Sequence, residues 1–186
     1  MRSSIILIGP IGVGKSTIPG LLAKKLNLPR RSMDEFRWDY YAEIGYDKGI
    51  AKQRHETEGF WGLYRYWKRF EAYAVERLLS EHSHCVIDFG AGHSVYEDDE
   101  LLQRVQQVLA PYPNVVLLLP SPNWDESVEI LNARTGYVSD GQPNINGHFV
   151  RHHSNYTLAK FTVYGNGRTP EEICDEIIGC VQIEQR

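Results

Sequence analysis

The chain opens on a short apolar, β-branched run from Ser4 to Ile8, turns through glycines, and then carries Ile18, Leu21, Leu22 and Leu26 at helical spacing between Ser16 and Leu26. A strand, a loop and a helix are predicted there. Leu28-Pro29 closes the turn that follows, and Arg30 to Met33 reads as a second short strand ending at Asp34. From Phe36 to Tyr73 the pattern changes, and the stretch gathers a large share of all the aromatic residues, among them Trp38, Tyr41, Phe60, Tyr64 and Trp67. Within it Trp67, Phe70, Ala74, Leu78 and Leu79 make one helical stripe, which predicts a long helix from about Phe60 to Glu81. The aromatic group from Trp38 to Trp67 suits a ring-stacking pocket and equally a helix core, and Trp67 and Phe70 are read as core. Cys85 to Phe89 is an apolar strand followed by Gly90-Ala91-Gly92, a loop without a bulky side chain. Glu97 to Ala110 returns to helical periodicity, and Pro111 and Pro113 stop it.

Asn114 to Leu119 is apolar on both faces, as a central parallel strand should be. Asp125 to Ala133 reads as a helix. Arg134 to His148 then loses periodicity and collects Gly136, Asp140, Gly141, Pro143, Asn144, Asn146 and Gly147, a loop long enough to serve as a mobile lid. Phe149 to Leu158 is helical in pattern, and Lys160 to Tyr164 is a last strand. Thr169-Pro170-Glu171-Glu172 has the form of an N-cap with proline at the first helical position, opening a helix to about Val181. Strands alternate with helices throughout, so the fold class is α/β, a parallel sheet sandwiched by helices.

Length and charge narrow the picture. The 186 residues suit one α/β domain, 1–186, with no internal repeat or low-complexity linker. A net charge of -4 and a pI near 6.0 supply no basic field for general nucleic-acid binding, although local groups can still hold a small anion. No apolar run approaches the ~18 residues of a membrane span, and the first strand begins too early for a signal peptide. Cys85, Cys174 and Cys180 are odd in number and lack metal-type spacing, which points to a reducing cytoplasm.

Gly9-Pro10-Ile11-Gly12-Val13-Gly14-Lys15-Ser16 fits the phosphate-binding pattern G-x-x-x-x-G-K-[ST], and it sits at the first strand-to-helix junction, where that pattern works. Glycines let the backbone N–H groups from Gly9 through Val13 to Thr17 approach phosphate oxygens, Lys15 reaches the β- and γ-phosphates, and Ser16 is a Mg²⁺ ligand. ATP and Mg²⁺ are therefore the expected cofactors. Asp34 and Asp88 each close a strand, where open parallel sheets bind ligands. Asp34 suits orientation or deprotonation of an acceptor hydroxyl and equally suits a helix N-cap; Asp88 suits a Mg²⁺ ligand, the base, or a solvated strand end. Arg134 can close over the phosphates. His148, His152 and His153 lack cysteine or carboxylate partners at ligand spacing and read as exposed lid histidines.

With this phosphate loop and this order of segments, the chain resembles the shikimate kinase branch of the P-loop small-molecule kinases, relatives of the nucleoside monophosphate kinases. The resemblance implies a three-layer αβα fold with a five-stranded parallel sheet ordered 2-3-1-4-5, an acceptor region at about 34–73 and a lid at about 134–148. Strand two of that family ends in Asp-x-Asp, against Ser32-Met33-Asp34 here, so the first acid is replaced. The helical Phe-Arg-x-x-Glu, whose arginine grips the acceptor carboxylate, is matched loosely by Trp67-Lys68-Arg69-Phe70-Glu71, which makes Lys68 and Arg69 the substrate-binding candidates. A Gly-Gly-Gly turn corresponds to Gly90-Ala91-Gly92. The family's lid arginine corresponds to Arg134, and its arginine before a tyrosine to Arg151 or His152, ahead of Tyr156.

The expected activity is transfer of the ATP γ-phosphoryl group to a hydroxyl of a small metabolite other than shikimate, by a monomer or homodimer. A nucleoside or nucleotide kinase is the alternative that the aromatic stretch would suit. A nucleotide-binding regulatory ATPase acting through a partner is weaker, since no N-K-x-D base-specificity motif is present.

Overall fold

The two longest fully buried strands are β1 (Ile5–Ile8) and β4 (Asn114–Leu119), because helices cover both faces of the sheet and leave no polar side. The computed structural model describes residues 4–137 and 143–182. With β2 (Arg30–Ser32), β3 (Val86–Asp88) and β5 (Phe161–Tyr164), these strands form a parallel sheet ordered β2-β3-β1-β4-β5, as expected. The helices are α1 (Ile18–Leu26), α2 (Met33–Glu43), α3 (Lys48–Glu81), α4 (Asp99–Leu109), α5 (Trp124–Thr135), α6 (Ile145–Arg151), α7 (His153–Leu158) and α8 (Pro170–Cys180), with a 3₁₀ turn over Ala91–Ser94. None of the described helices is long and apolar enough to cross a membrane.

Register positions the site. Leu7 lies opposite Asp88 on one side and Val116 on the other, and Ser32 also lies opposite Asp88. The carboxyl ends of β1, β2 and β3 therefore finish together, β1 and β3 running into loops and β2 directly into α2.

Several boundaries differ from the sequence expectation. Strand β2 stops at Ser32, and Asp34 is instead in the first turn of α2, so it neither ends a strand nor caps the helix. The long helix begins at Lys48 and is broken at Gly59 (φ 66°, ψ -161°), so the predicted start at Phe60 marks the second half of a broken helix. The break explains the miss: residues 48–58 expose almost every side chain and carry no apolar stripe. Arg134 lies in the last turn of α5 rather than in a loop, and the connection to α6 covers only 136–144, of which the lid residues 138–142 lie outside the described residues. The predicted helix from Phe149 to Leu158 is two helices with His152 extended between them (φ -69°, ψ 126°). Thr169 caps α8 in a full capping box with Glu172.

Gly9 leaves β1 at φ 143°, and a Cβ there would stand 2.5 Å from the carbonyl oxygen of Leu118. Gly45 has a comparable φ of 77° with open space around it. Gly9→Ala combines strain with a backbone collision and is expected to cost about 2–4 kcal/mol, while Gly45→Ala meets strain alone and costs about 1 kcal/mol. Urea denaturation of both variants checks this, and equal losses would show that the approach to β4 is unimportant.

Candidate active site

The phosphate-binding pattern folds into a loop with Gly9, Gly12 and Gly14 all at positive φ (143°, 78° and 110°). It delivers the chain to α1, whose N-cap Thr17 makes no side-chain cap and whose first turn holds no acid. Helices α3, α4 and α5 are instead capped by Asp47, Asp98 and Asn123. The first N–H groups of α1 are thus not taken by a capping side chain, which suits an anion. Lys15 Nζ donates to the carbonyl oxygens of Gly9 (2.5 Å) and Pro10 (2.6 Å), folding back across the loop. Burial lowers its pKa to about 7 against the opposing pull of Asp88 and Asp34, so it gains from any anion that arrives. Arg134 reaches the same loop from α5 and donates to the Gly12 carbonyl oxygen (3.4 Å). Such a cradle of backbone donors, glycines and a desolvated ammonium fits a polyphosphate.

Asp88, the last residue of β3, is buried, with one carboxylate oxygen accepting from Arg30 Nε (2.8 Å) and the other from Ser32 Oγ (2.5 Å). The register pairing of Ser32 with Asp88 produces this contact, and it takes the Ser32 hydroxyl away from capping α2. Asp34 is exposed in the first turn of α2 and pairs with Arg37 (3.3 Å).

Both carboxylates, Lys15 and Ser16 open on one cavity of about 600 Å³. Its far wall comes from α3, where Phe60, Tyr64, Trp67 and Glu71 recur at helical spacing, and from Trp38 and Tyr41 of α2 and Phe149 of α6. Trp67 is therefore a wall residue, whereas Phe70 is fully buried in the core as expected. Gly90, Ala91 and Gly92 form the floor. A Cβ on Gly92 would collide with the Glu71 carboxylate, and one on Gly90 would come 2.8 Å from His93 Nδ1 and 3.6 Å from Asp34 Oδ1. His93 accepts or donates through Nε2 to Tyr41 OH (3.1 Å), and burial lowers its pKa to about 4, which leaves it a neutral imidazole at pH 7.

Three basic residues picked from the sequence are not brought to this cavity. Lys68 is buried behind the cavity's wall and floor rather than lining it: its ammonium pairs with Glu71, donates to the carbonyl oxygens of Gly92 (3.1 Å) and Val95 (3.0 Å), and lies 3.9 Å from the Tyr64 ring centre. Arg69 stacks on Phe70 (4.5 Å) and faces a separate groove beside Asp98. Arg151 pairs with Asp125 and donates to Gly147. The cavity's basic residues are instead Lys15, Arg30 and Arg37. Arg37, Glu71 and His93 are not marked as site residues by the sequence, and Tyr64 is marked only as a member of the aromatic stretch. The 60-64-67-71 spacing on one helix face carried the signal for two of them, and nothing in the sequence marked the others.

No protein-family model matches the chain. The shikimate kinase of Streptomyces coelicolor is 27% identical, with 97% of this chain and 96% of that protein covered. Among solved structures, a shikimate kinase from Acinetobacter baumannii in complex with shikimate superposes with a TM-score of 0.63 at 21% identity, covering 96% of this chain and 92% of that one. A gluconokinase from Sinorhizobium meliloti superposes with a TM-score of 0.51 at 15% identity, covering 96% and 90%. The fold is that of the shikimate kinase-like P-loop kinases. These relatives and neighbours are phosphotransferases, and they support a kinase here.

Lys68 and Glu71 are each about 7% exposed, so neither charge is solvated alone. Glu71→Leu leaves a buried ammonium without its carboxylate and is expected to cost about 3–5 kcal/mol, while Lys68→Met with Glu71→Leu recovers most of that loss. Chemical denaturation of the single and double variants checks it, and additive losses would mean that the pair is not coupled.

Proposed function

We propose that the chain is an ATP- and Mg²⁺-dependent kinase that phosphorylates a hydroxyl group of a small metabolite other than shikimate, in a cytoplasmic setting. The observation that carries this reading is a single cavity running from Lys15 and Ser16, past Asp88, to Asp34 and an aromatic wall. ATP supplies the phosphoryl group, and Mg²⁺ bound through Ser16 and Asp88 would spread its charge. The loop N–H groups, the N-terminus of α1 and Lys15 hold the phosphates, and Arg134 adds a second cation beside Gly12. Asp34 orients the acceptor hydroxyl and takes its proton as the new O–P bond forms. Arg37 stabilises the resulting geometry from the adjacent turn.

The acceptor assignment follows from charge. In the family that the chain resembles, an arginine on the long helix grips the acceptor carboxylate, and the residue in that place here is Lys68, committed to Glu71 and two backbone carbonyls. Ser32 also replaces the first strand-two acid and is bonded to Asp88. Trp38, Phe60 and Trp67 around the same cavity favour an acceptor with a ring face, which keeps a nucleoside or nucleotide kinase as the second reading.

Purified protein given ATP, Mg²⁺ and shikimate should turn over at least tenfold less efficiently than with its preferred acceptor from a metabolite screen, followed by ADP release and product mass. Efficient shikimate phosphorylation would overturn the acceptor reading and leave the kinase reading intact.

Asp34→Asn should lower kcat by ~10²–10⁴ with ATP affinity unchanged, because the phosphates are held by groups the substitution does not touch. Calorimetry of ATP binding and steady-state rates separate the two. A collapse of ATP affinity in Asp34→Asn, or a silent Asp34→Asn beside an inactive Asp88→Asn, would reassign the base.

A further inference from the structure

The two histidines that the sequence left without a carboxylate acquire one in the fold. Glu97, just ahead of the Asp98 cap of α4, places Oε1 2.8 Å from His148 Nε2 on α6 and 3.8 Å from His152 Nε2 between α6 and α7. One ligand atom from each of the three lies within 4.8 Å of the others. His148 and His152 are one helical turn apart, with ring centres separated by 5.1 Å. We propose that Glu97, His148 and His152 form a binding site for a late first-row divalent metal ion, of which Zn²⁺ is the representative.

The donor set decides the class of ion. Two imidazoles and one carboxylate are the ligands of three-residue zinc sites, whereas Mg²⁺ and Ca²⁺ favour all-oxygen sets. Zn–N and Zn–O bonds of ~2.0–2.2 Å in tetrahedral array put ligand atoms about 3.3–3.6 Å apart. The two separations from Glu97, 2.8 and 3.8 Å, fall on either side of that range, and with all three atoms within 4.8 Å of one another side-chain adjustments close the site. Support around the ligands is already built. Tyr64 OH donates to Glu97 Oε1 (2.9 Å), and the Trp61 ring packs edge-on against His148 (5.1 Å). The Glu97 side chain is 43% exposed, which leaves a side open for entry and for a fourth, water ligand.

Burial drives the His152 pKa down to about 4; burial also pushes Glu97 up, but hydrogen bonds from His148 and Tyr64 prevail and hold it at about 2. To load a metal through Nε2, each imidazole carries its proton on Nδ1. For His152 this replaces a weak contact, the 3.3 Å approach of Ser154 N–H to Nδ1. A bound ion would join α6 and α7 to the start of α4 and, through Tyr64, to the aromatic wall of the cavity. The site does not depend on the kinase reading, because none of its three ligands lines the cavity.

The test uses untagged full-length protein stripped with a chelator, then titrated with Zn²⁺ by calorimetry and with Co²⁺ by visible absorption. One equivalent should bind, with a tetrahedral Co²⁺ band, and a hundredfold excess of Zn²⁺ over Kd should raise Tm by about 5–10 °C. Glu97→Gln and the His148→Ala, His152→Ala pair should each weaken binding at least tenfold, while His55→Ala, an exposed histidine on α3, should not change it. Metal-free Tm and calorimetric ATP binding report whether each variant is folded. Absence of saturable one-to-one binding by the unmodified protein, or equal affinity in the cluster variants, overturns the site and leaves Glu97, His148 and Tyr64 as a hydrogen-bonded clasp only.

Discussion

The distance between residue 9 and the carbonyl oxygen of Leu118 governs the rest of the molecule. A Cβ on residue 9 would stand 2.5 Å from that oxygen, so only glycine fits there, and its close approach lays the phosphate loop directly on the end of β4. From there the loop turns at Gly12 against the side chain of Thr135 and at Gly14 against Ile18, so α5 and α1 pack around it. The sheet order then fixes what the loop faces. With β3 beside β1 and β2 beside β3, the residues that end those strands are presented to Lys15, and Asp88 arrives at the phosphate end because of its register alone.

Charge is handled differently at the two ends of the cavity. Near the loop, Asp88 is held in place by Arg30 and Ser32; on the far wall, Glu71 is matched by the buried Lys68, an internal pair that leaves little surplus charge to offer a ligand. Asp34 and Arg37 are the exposed pair, on the first turn of a helix whose N-terminus no side chain caps. Their mutual contact is long and solvated, so it is worth little as a stabilising bridge and is easily replaced by contacts to a ligand. The aromatic wall opposite them supplies shape rather than charge. This end of the cavity thus offers one exposed ion pair, a neutral imidazole at His93 and flat apolar faces, a combination suited to discrimination by fit and hydrogen bonding.

The parts that could be read from the sequence are those set by local pattern. Apolar runs gave β1, β3 and β4, and the glycine spacing gave the loop, because the pattern belongs to one contiguous stretch of backbone. The break at Gly59 hid the first half of α3, since residues 48–58 are helical by capping at Asp47 and by surface ion pairs such as Arg54 with Glu58 rather than by an apolar stripe. Lys68 and Arg69 were chosen by motif likeness, but helical phase decides orientation: residues 60, 64, 67 and 71 share the face toward the cavity, and 68 and 69 do not. Arg151 was lost to Asp125, a partner 26 residues away that no local pattern connects to it.

This contrast between the two ends has a physical origin. A phosphate is recognised by consecutive N–H groups, so its site must be contiguous in sequence and leaves a motif. The acceptor wall draws on α2, α3, the Gly90 turn and α6, and each contributes side chains whose meaning depends on the others. Glu97 makes the same point, since it becomes a partner of His148 only across 51 residues of intervening chain. Lys68 shows how far this can go: placed by sequence likeness to grip a substrate, it is turned by helical phase into the counterion of Glu71 and a support for the Gly92 turn, so a residue in a ligand-binding position of the pattern here holds the pocket's own shape.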